Sequence, residues 1–140
     1  MKTTLYWIST ALVSAGFLLG GVLDLLHVPP VVQAITTLGY PAYLATLLGG
    51  WKVLGVAAVV SPGLPRLKEW AYAGMLFDLS GAAFSHAASG DPAGKVAVPL
   101  VFLALAAASW ALRPASRRLG ELLPASAAVA RTPAVRARTA

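Results

Sequence analysis

The sequence predicts an all-α protein, specifically an integral membrane four-helix bundle with a short amphipathic interfacial helix between spans one and two. Two observations lead to this prediction. The 140 residues are 58% hydrophobic and 11% charged, with a mean hydropathy of +0.74, and so small a soluble domain could not bury that much apolar surface. The chain also contains four apolar runs of nearly the length that crosses a bilayer. A soluble enzyme and a secreted disulfide scaffold are therefore excluded.

The four predicted spans are separated by turn-forming residues. They cover about residues 5–26, 42–61, 70–88 and 96–112, and together they define a transmembrane domain over residues 1–112. Prolines and glycines stand between them, at 29–30, 39–41, 61–65 and 90–92. We expect the first run to be a retained span and not a cleaved signal peptide, because its apolar core is too long and further spans follow.

A short helix is expected between the first two spans. Val31, Val32, Ile35 and Leu38 recur at helical spacing, with polar residues between them. This pattern is typical of an amphipathic helix that lies in the membrane interface. Gly39 is expected to end this helix.

The lysine and arginine residues predict the orientation of the spans. Nine of them fall on one side under the four-span arrangement, whereas only Lys95 falls on the other. Both termini are therefore expected in the cytoplasm. The basic segment 113–140 is expected to be a cytoplasmic tail, largely disordered after about residue 123. Its arginines are expected to help determine the orientation of the spans and to contact anionic lipid headgroups of the bilayer. No nucleic-acid partner is expected.

Three charged residues lie within the predicted spans, where ionisable groups are costly and face the bundle interior. Asp24, Lys52 and Asp78 each share a helix face with small residues, which mark helix–helix contacts in membranes. Counting along the antiparallel spans puts Lys52 and Asp78 near the midplane, so we predict an ion pair between them. Asp24 is expected in the outer third together with His27 and His86. Span four offers only Ser109 as a polar side chain.

This polar cluster leaves several functions open. The Lys52–Asp78 pair could serve helix packing alone. Alternatively, Lys52 and His86 could bind a quinone-like or lipid headgroup. A proton or ion path through Asp24, Lys52, Asp78 and His86 is a third interpretation. Haem ligation by His27 and His86 is a fourth, although two histidines are a weak signature. No hydrolytic, phosphate-binding or metal-binding motif is present, and no catalytic residue is assigned.

Several strings occur in order along the chain. They are LGYP at 38–41, WKVLG at 51–55, LKEWAYAG at 67–74, FDLSGAA at 77–83 and SH at 85–86. This combination resembles the DoxX-like family of small bacterial membrane proteins, over roughly residues 5–112. The resemblance implies a four-helix integral membrane protein. Positions that match the family motifs are Tyr40, Pro41, Trp51, Lys52, Glu69, Trp70, Asp78, Ser85 and His86. The chain departs from the family near Asp24 and His27, where a lysine is often found.

The resemblance also implies a functional setting. The family's namesake is linked to a membrane thiosulfate–quinone oxidoreductase, and other members are linked to oxidative-stress or oxidoreductase assemblies. We therefore expect an accessory subunit of such a redox system rather than a stand-alone enzyme, with quinone as the candidate cofactor and an oxidoreductase subunit as the candidate partner. A non-catalytic assembly factor and a small transporter are the alternatives. The predicted site consists of Asp24, Trp51, Lys52, Asp78, Ser85 and His86, with His27 and Tyr40 as additional members.

Overall fold

The computed structural model describes residues 1–119, so the tail predicted to be disordered after about residue 123 lies outside the described residues. The all-α class is confirmed over this range, in which no strand occurs. Five helices follow one another in the described chain, and a 3-10 turn, Ala115–Arg117, comes after them. The helices are α1 Lys2–Leu25, α2 Pro29–Thr37, α3 Tyr43–Val60, α4 Pro65–Ala88 and α5 Ala93–Ala111.

The helix boundaries follow local chemistry more closely than they follow hydropathy. Pro29 and Pro65 stand at the first positions of α2 and α4, where a proline loses no hydrogen bond and its fixed φ suits a helix. As a result, α4 begins five residues earlier than the predicted span at residue 70. Gly39 follows α2 with a φ of +88°, a conformation that glycine adopts without strain. The predicted end of the interfacial helix is therefore confirmed.

The four long helices pack in a ring. α1 lies against α3 and α5, α4 lies against the same two helices, and α2 contacts α1 and α3. The core between them is apolar, with Val13, Val59 and Met75 almost completely buried. The outer surface is also apolar, since Phe84 and Trp70 are each 75% exposed. A surface of this kind suits contact with lipid.

Three of the described helices, α1, α3 and α5, are long and apolar enough by length and composition to cross a membrane. α4 has 24 residues, as many as α1, but it does not belong to this group. Its first turns carry Arg66, Lys68 and Glu69, and Asp78 lies in its middle. Hydropathy alone therefore supports a membrane protein with three candidate spans in the described chain.

Candidate functional site

A central cavity of about 480 Å³ lies inside the ring, below α2. All five helices contribute to its wall, and α2 covers it with apolar side chains that include Val31, Ile35 and Leu38. The sequence pattern therefore identified the apolar face of α2 correctly. This face covers the cavity, however, and is not simply laid on the membrane surface.

Six of the eight predicted site residues line this cavity. Asp24, Lys52 and Asp78 come from three different helices, and the other three lie nearer to α2. The apolar remainder of the wall includes Phe17, Leu48, Phe77 and Phe102. An apolar pocket with a few convergent polar groups is the usual form of a small-molecule site. The six residues are Asp24, Tyr40, Lys52, Asp78, Ser85 and His86.

Lys52 forms an ion pair with Asp24. Its Nζ lies 2.8 Å from Asp24 Oδ2, and Asp24 is only 3% exposed. The predicted Lys52–Asp78 ion pair is therefore wrong: within the described residues, the partner of Lys52 is on α1 and not on α4. The prediction counted residue depths along each span. It neglected how closely α1 approaches α3 and how far a lysine side chain reaches along its helix.

Two glycines explain this close approach. A Cβ on Gly49 would lie 2.8 Å from the Gly21 carbonyl oxygen, and a Cβ on Gly21 would lie 3.1 Å from the Gly49 carbonyl oxygen. The two backbones therefore touch, and any larger residue would push them apart. The same crossing places the Cβ of Asp24 beside Gly49 and the Cβ of Lys52 beside Gly21. The ion pair forms because the glycine pair brings these helices together.

The other glycines on these helix faces divide into two groups. Gly16 packs tightly, because the Phe102 ring occupies the space of its missing side chain. Gly20, Gly74 and Gly81, in contrast, have no atom within 4 Å of the position where a Cβ would stand. These glycines were expected to mark helix–helix contacts. Instead they enlarge cavities, since Gly20 and Gly81 line the central cavity.

Asp78 has a different environment from Asp24. Its carboxylate accepts no hydrogen bond from residues 1–119, although it lines the same cavity as Lys52. The Lys52 ammonium has three N–H groups, of which one is directed at Asp24. The cavity therefore offers both hydrogen-bond donors and an unused acceptor in an otherwise apolar setting.

The rim of the cavity near α2 is held by three polar contacts. Tyr40 Oη and Ser85 Oγ are 2.8 Å apart, so the segment after α2 is tied to α4. His86 Nδ1 lies 2.7 Å from Asp91 Oδ2, and Lys95 Nζ lies 2.9 Å from the other carboxylate oxygen. The hydrogen bonds from His86 and Lys95 lower the pKa of Asp91. The ionised Asp91 accepts, so Nδ1 of His86 carries the proton.

The remaining two predicted residues lie outside the central cavity. His27 is exposed, its φ is +50°, and its Nε2 is 3.0 Å from Thr46 Oγ1. Trp51 is 65% exposed on the outer surface of α3. His27 and His86 thus have separate partners. Among the described residues, no group of three histidine, aspartate or glutamate side chains is placed to hold a metal ion.

A buried lysine at the opposite end of the ring was not identified as a structural residue from the sequence. Lys68 is fully buried, and its Nζ donates to the carbonyl oxygens of Ala58 at 2.8 Å, Val59 at 3.1 Å and Ser61. These carbonyls belong to the end of α3, where the helix offers no donor and the helix dipole favours a cation. Burial lowers the pKa of Lys68, and the nearby Arg117 and Arg113 lower it further. In the sequence, Lys68 was considered only as one of the basic residues that predict the orientation of the spans.

The basic residues after α5 also have structural partners. Arg113 is 4% exposed and its Nη2 lies 2.8 Å from Glu69 Oε1, while Trp110 Nε1 donates to the other oxygen of Glu69 at 2.9 Å. Burial raises the pKa of Glu69, but the hydrogen bonds from Trp110 and Arg113 outweigh it and keep this pKa below its usual value. Arg117 donates to the Val59 carbonyl at 3.2 Å. The start of the basic segment therefore closes this end of the ring.

A hydroxyl network joins three of the long helices in the core. Ser109 Oγ lies 2.6 Å from Thr10 Oγ1 and 2.7 Å from Tyr72 Oη, and all three residues are buried. Buried hydroxyls need such partners, because an unsatisfied polar group costs free energy. The signal in the sequence was the isolated Ser109 in the apolar run of α5.

Comparison with known protein families identifies the fold's relatives. The model of the DoxX-like family matches residues 8–109, which is most of the chain. No curated protein and no solved structure matches this sequence.

Proposed function

The chain belongs to the DoxX-like family, and from this premise we propose that it is an accessory membrane subunit that binds a membrane quinone for a partner oxidoreductase. In this proposal α4 is a fourth span, both termini are cytoplasmic and the bacterial inner membrane is the location. The three apolar helices and the one-sided distribution of basic residues support this topology.

The chemistry of the central cavity is the observation that carries the proposal. A quinone carbonyl accepts hydrogen bonds, and the reduced quinol presents hydroxyl groups that donate them. Lys52 supplies N–H groups that are not directed at Asp24, and Asp78 supplies a carboxylate that no described residue uses. The apolar wall, with Phe17 and Phe77, suits the ring itself. Lys52 and Asp78 are thus the proposed ligand-binding residues.

The proposed role is binding rather than electron transfer within this chain. The quinone carries the redox chemistry, and a membrane or membrane-associated oxidoreductase subunit exchanges electrons with it. This chain positions the head through Lys52 and Asp78, and α2 shields the cavity.

The test is the quinone content of protein extracted gently from its own membrane. We expect quinone and quinol to co-purify with the wild-type protein, and Asp78→Leu to lower the content of the reduced quinol about tenfold, because the hydrogen bond from a quinol hydroxyl to the charged carboxylate is lost. Ser80→Ala is the matched control on the same helix, since the Ser80 hydroxyl donates only to carbonyls of α4. Wild-type protein without quinone, or equal loss in both variants, would contradict the proposal.

One observation favours an assembly factor as a second candidate. The Asp24–Lys52 pair lies beside the contact of Gly21 and Gly49, where an ion pair fixes the relative position of two helices. If packing is its only role, Asp24→Leu combined with Lys52→Met should leave both the fold and the cellular phenotype intact. A folded double variant that loses bound quinone would exclude this alternative.

A further inference from the structure

A second cavity opens between α3 and α4, and none of its lining residues belongs to α2. We call it the lateral groove. Its volume is about 480 Å³, and its wall is apolar except at the inner end. The side chains and glycines that define it include Trp51, Leu54, Gly55, Leu67, Trp70 and Gly74.

The lateral groove and the central cavity meet at four shared residues. Lys52 and Asp78 line both, and so do Phe17 and Leu48. The proposed quinone-binding residues therefore stand at the junction of the two spaces. A ligand head at Lys52 and Asp78 therefore lies beside the apolar groove.

The groove is also open toward the outside of the ring. Trp51 and Trp70, one on each wall, are 65% and 75% exposed, so the opening lies on the apolar outer surface. Glycines keep the interior free, because a Cβ on Gly74 would meet no atom within 4 Å and a Cβ on Gly55 would meet only Met75 Cε at 3.9 Å. The space inside the groove is therefore continuous with the surface that faces lipid.

We propose that the lateral groove holds the isoprenoid tail of the quinone and is the route by which the quinone enters from the bilayer. This inference rests on the proposed function, because it takes the head to lie at Lys52 and Asp78. An aqueous solute would gain nothing from an apolar channel that opens to lipid. A quinone whose long apolar tail already lies in the bilayer can enter such a channel without exposing that tail to water.

The test compares two probes in wild-type protein reconstituted in lipid nanodiscs. One probe is a dimethoxy-methyl-benzoquinone head without a tail, and the other carries a decyl tail on the same head. Gly74→Leu fills the groove, and we expect it to raise the Kd of the tailed probe about tenfold, because the tail loses its packing contacts with the groove wall. The Kd of the tail-less head should stay unchanged. Gly55→Val on the opposite wall should give the same pattern and is an independent check.

Two controls make the result specific. Gly50→Leu places the same side chain on α3. A Cβ on Gly50 meets no atom within 4 Å, and Gly50 lines neither the central cavity nor the lateral groove. Neither Kd should therefore change. Gly20→Leu fills the central cavity and should weaken both probes. If the tailed probe binds Gly74→Leu as tightly as wild type while Gly20→Leu weakens both, the tail assignment is wrong and the head site survives.

The remaining outcomes also decide the proposal. If wild-type protein binds neither probe, both the proposed function and the tail assignment fail. If Gly74→Leu removes a co-purifying phospholipid but leaves the tailed probe unaffected, the groove is a lipid site and the inference is overturned.

Discussion

The Asp24 carboxylate accepts a hydrogen bond of 2.8 Å from the Lys52 ammonium, and this contact joins α1 to α3 next to the touching backbones of Gly21 and Gly49. The side chain of Asp24 is 4% exposed and that of Lys52 is 21% exposed. Water therefore screens this pair only weakly. The ion pair and the glycine contact are two parts of one helix junction, and they can be tested separately.

Removal of one member of the ion pair should cost more than removal of both. Asp24→Leu leaves the Lys52 ammonium without its partner, and Lys52→Met leaves a buried carboxylate, so each should lower the free energy of unfolding by about 3 kcal/mol. The double variant should lose much less, because apolar side chains fill the same space. The free energy of unfolding of wild type, the two single variants and the double variant is measured in mixed detergent micelles. Additive losses in the double variant would show that the two residues do not stabilise each other.

The sequence predicted the helical class, and it selected six residues that the structure places around one cavity; both inferences have the same basis. Apolar runs interrupted by proline and glycine determine where helices begin and end, and charges in such runs must face inward. Asp24, Lys52 and Asp78 could therefore be selected without a structure. Tyr40, Trp51 and Ser85 were selected in part because they match motif positions of the family.

The sequence could not predict which charged groups would pair. Pairing depends on the distance between helices, and Gly21 and Gly49 set that distance through a contact that no periodicity reveals. Gly20 and Gly74 are also glycines within apolar helices, but they line open space. Lys68 was missed for a similar reason, since its partners are backbone carbonyls of another helix.

The glycine contact predicts opposite effects for neighbouring substitutions on the two helices. Gly49→Ala places a Cβ 2.8 Å from a backbone oxygen, and because backbone cannot move aside cheaply, we expect a loss of about 1–3 kcal/mol. Gly20→Ala is the matched control, because no atom lies within 4 Å of its new Cβ and alanine favours a helix. Thermal unfolding of the purified proteins distinguishes them. Equal melting temperatures for the two variants would refute the close contact.

Lys68 should stabilise the fold through the end of α3. Lys68→Met keeps most of the apolar stem but removes the ammonium that binds three carbonyl oxygens, so we expect a loss of about 1–3 kcal/mol in the free energy of unfolding. Arg66→Met removes an exposed positive charge two residues earlier and should change stability little. Hydrogen exchange should also speed up in the last turn of α3 in Lys68→Met only. Unchanged exchange there would mean that Lys68 serves topology alone.

The Asp91 contacts predict a pH dependence with a definite sign. The hydrogen bonds from His86 and Lys95 lower the pKa of Asp91 in the folded protein, so the ionised form stabilises the fold above the ordinary aspartate value of about 3.9. This contribution should disappear as the pH falls through the lower folded-state pKa. The difference in stability between wild type and Asp91→Asn should therefore be largest near neutral pH and shrink in acid.

Glu69 also has a lowered pKa, but it titrates in both proteins, so its contribution cancels in the stability difference between them. Melting temperatures between pH 7 and pH 3 provide the measurement, and a difference that stays constant over this range would rule out the Asp91 contacts as its source.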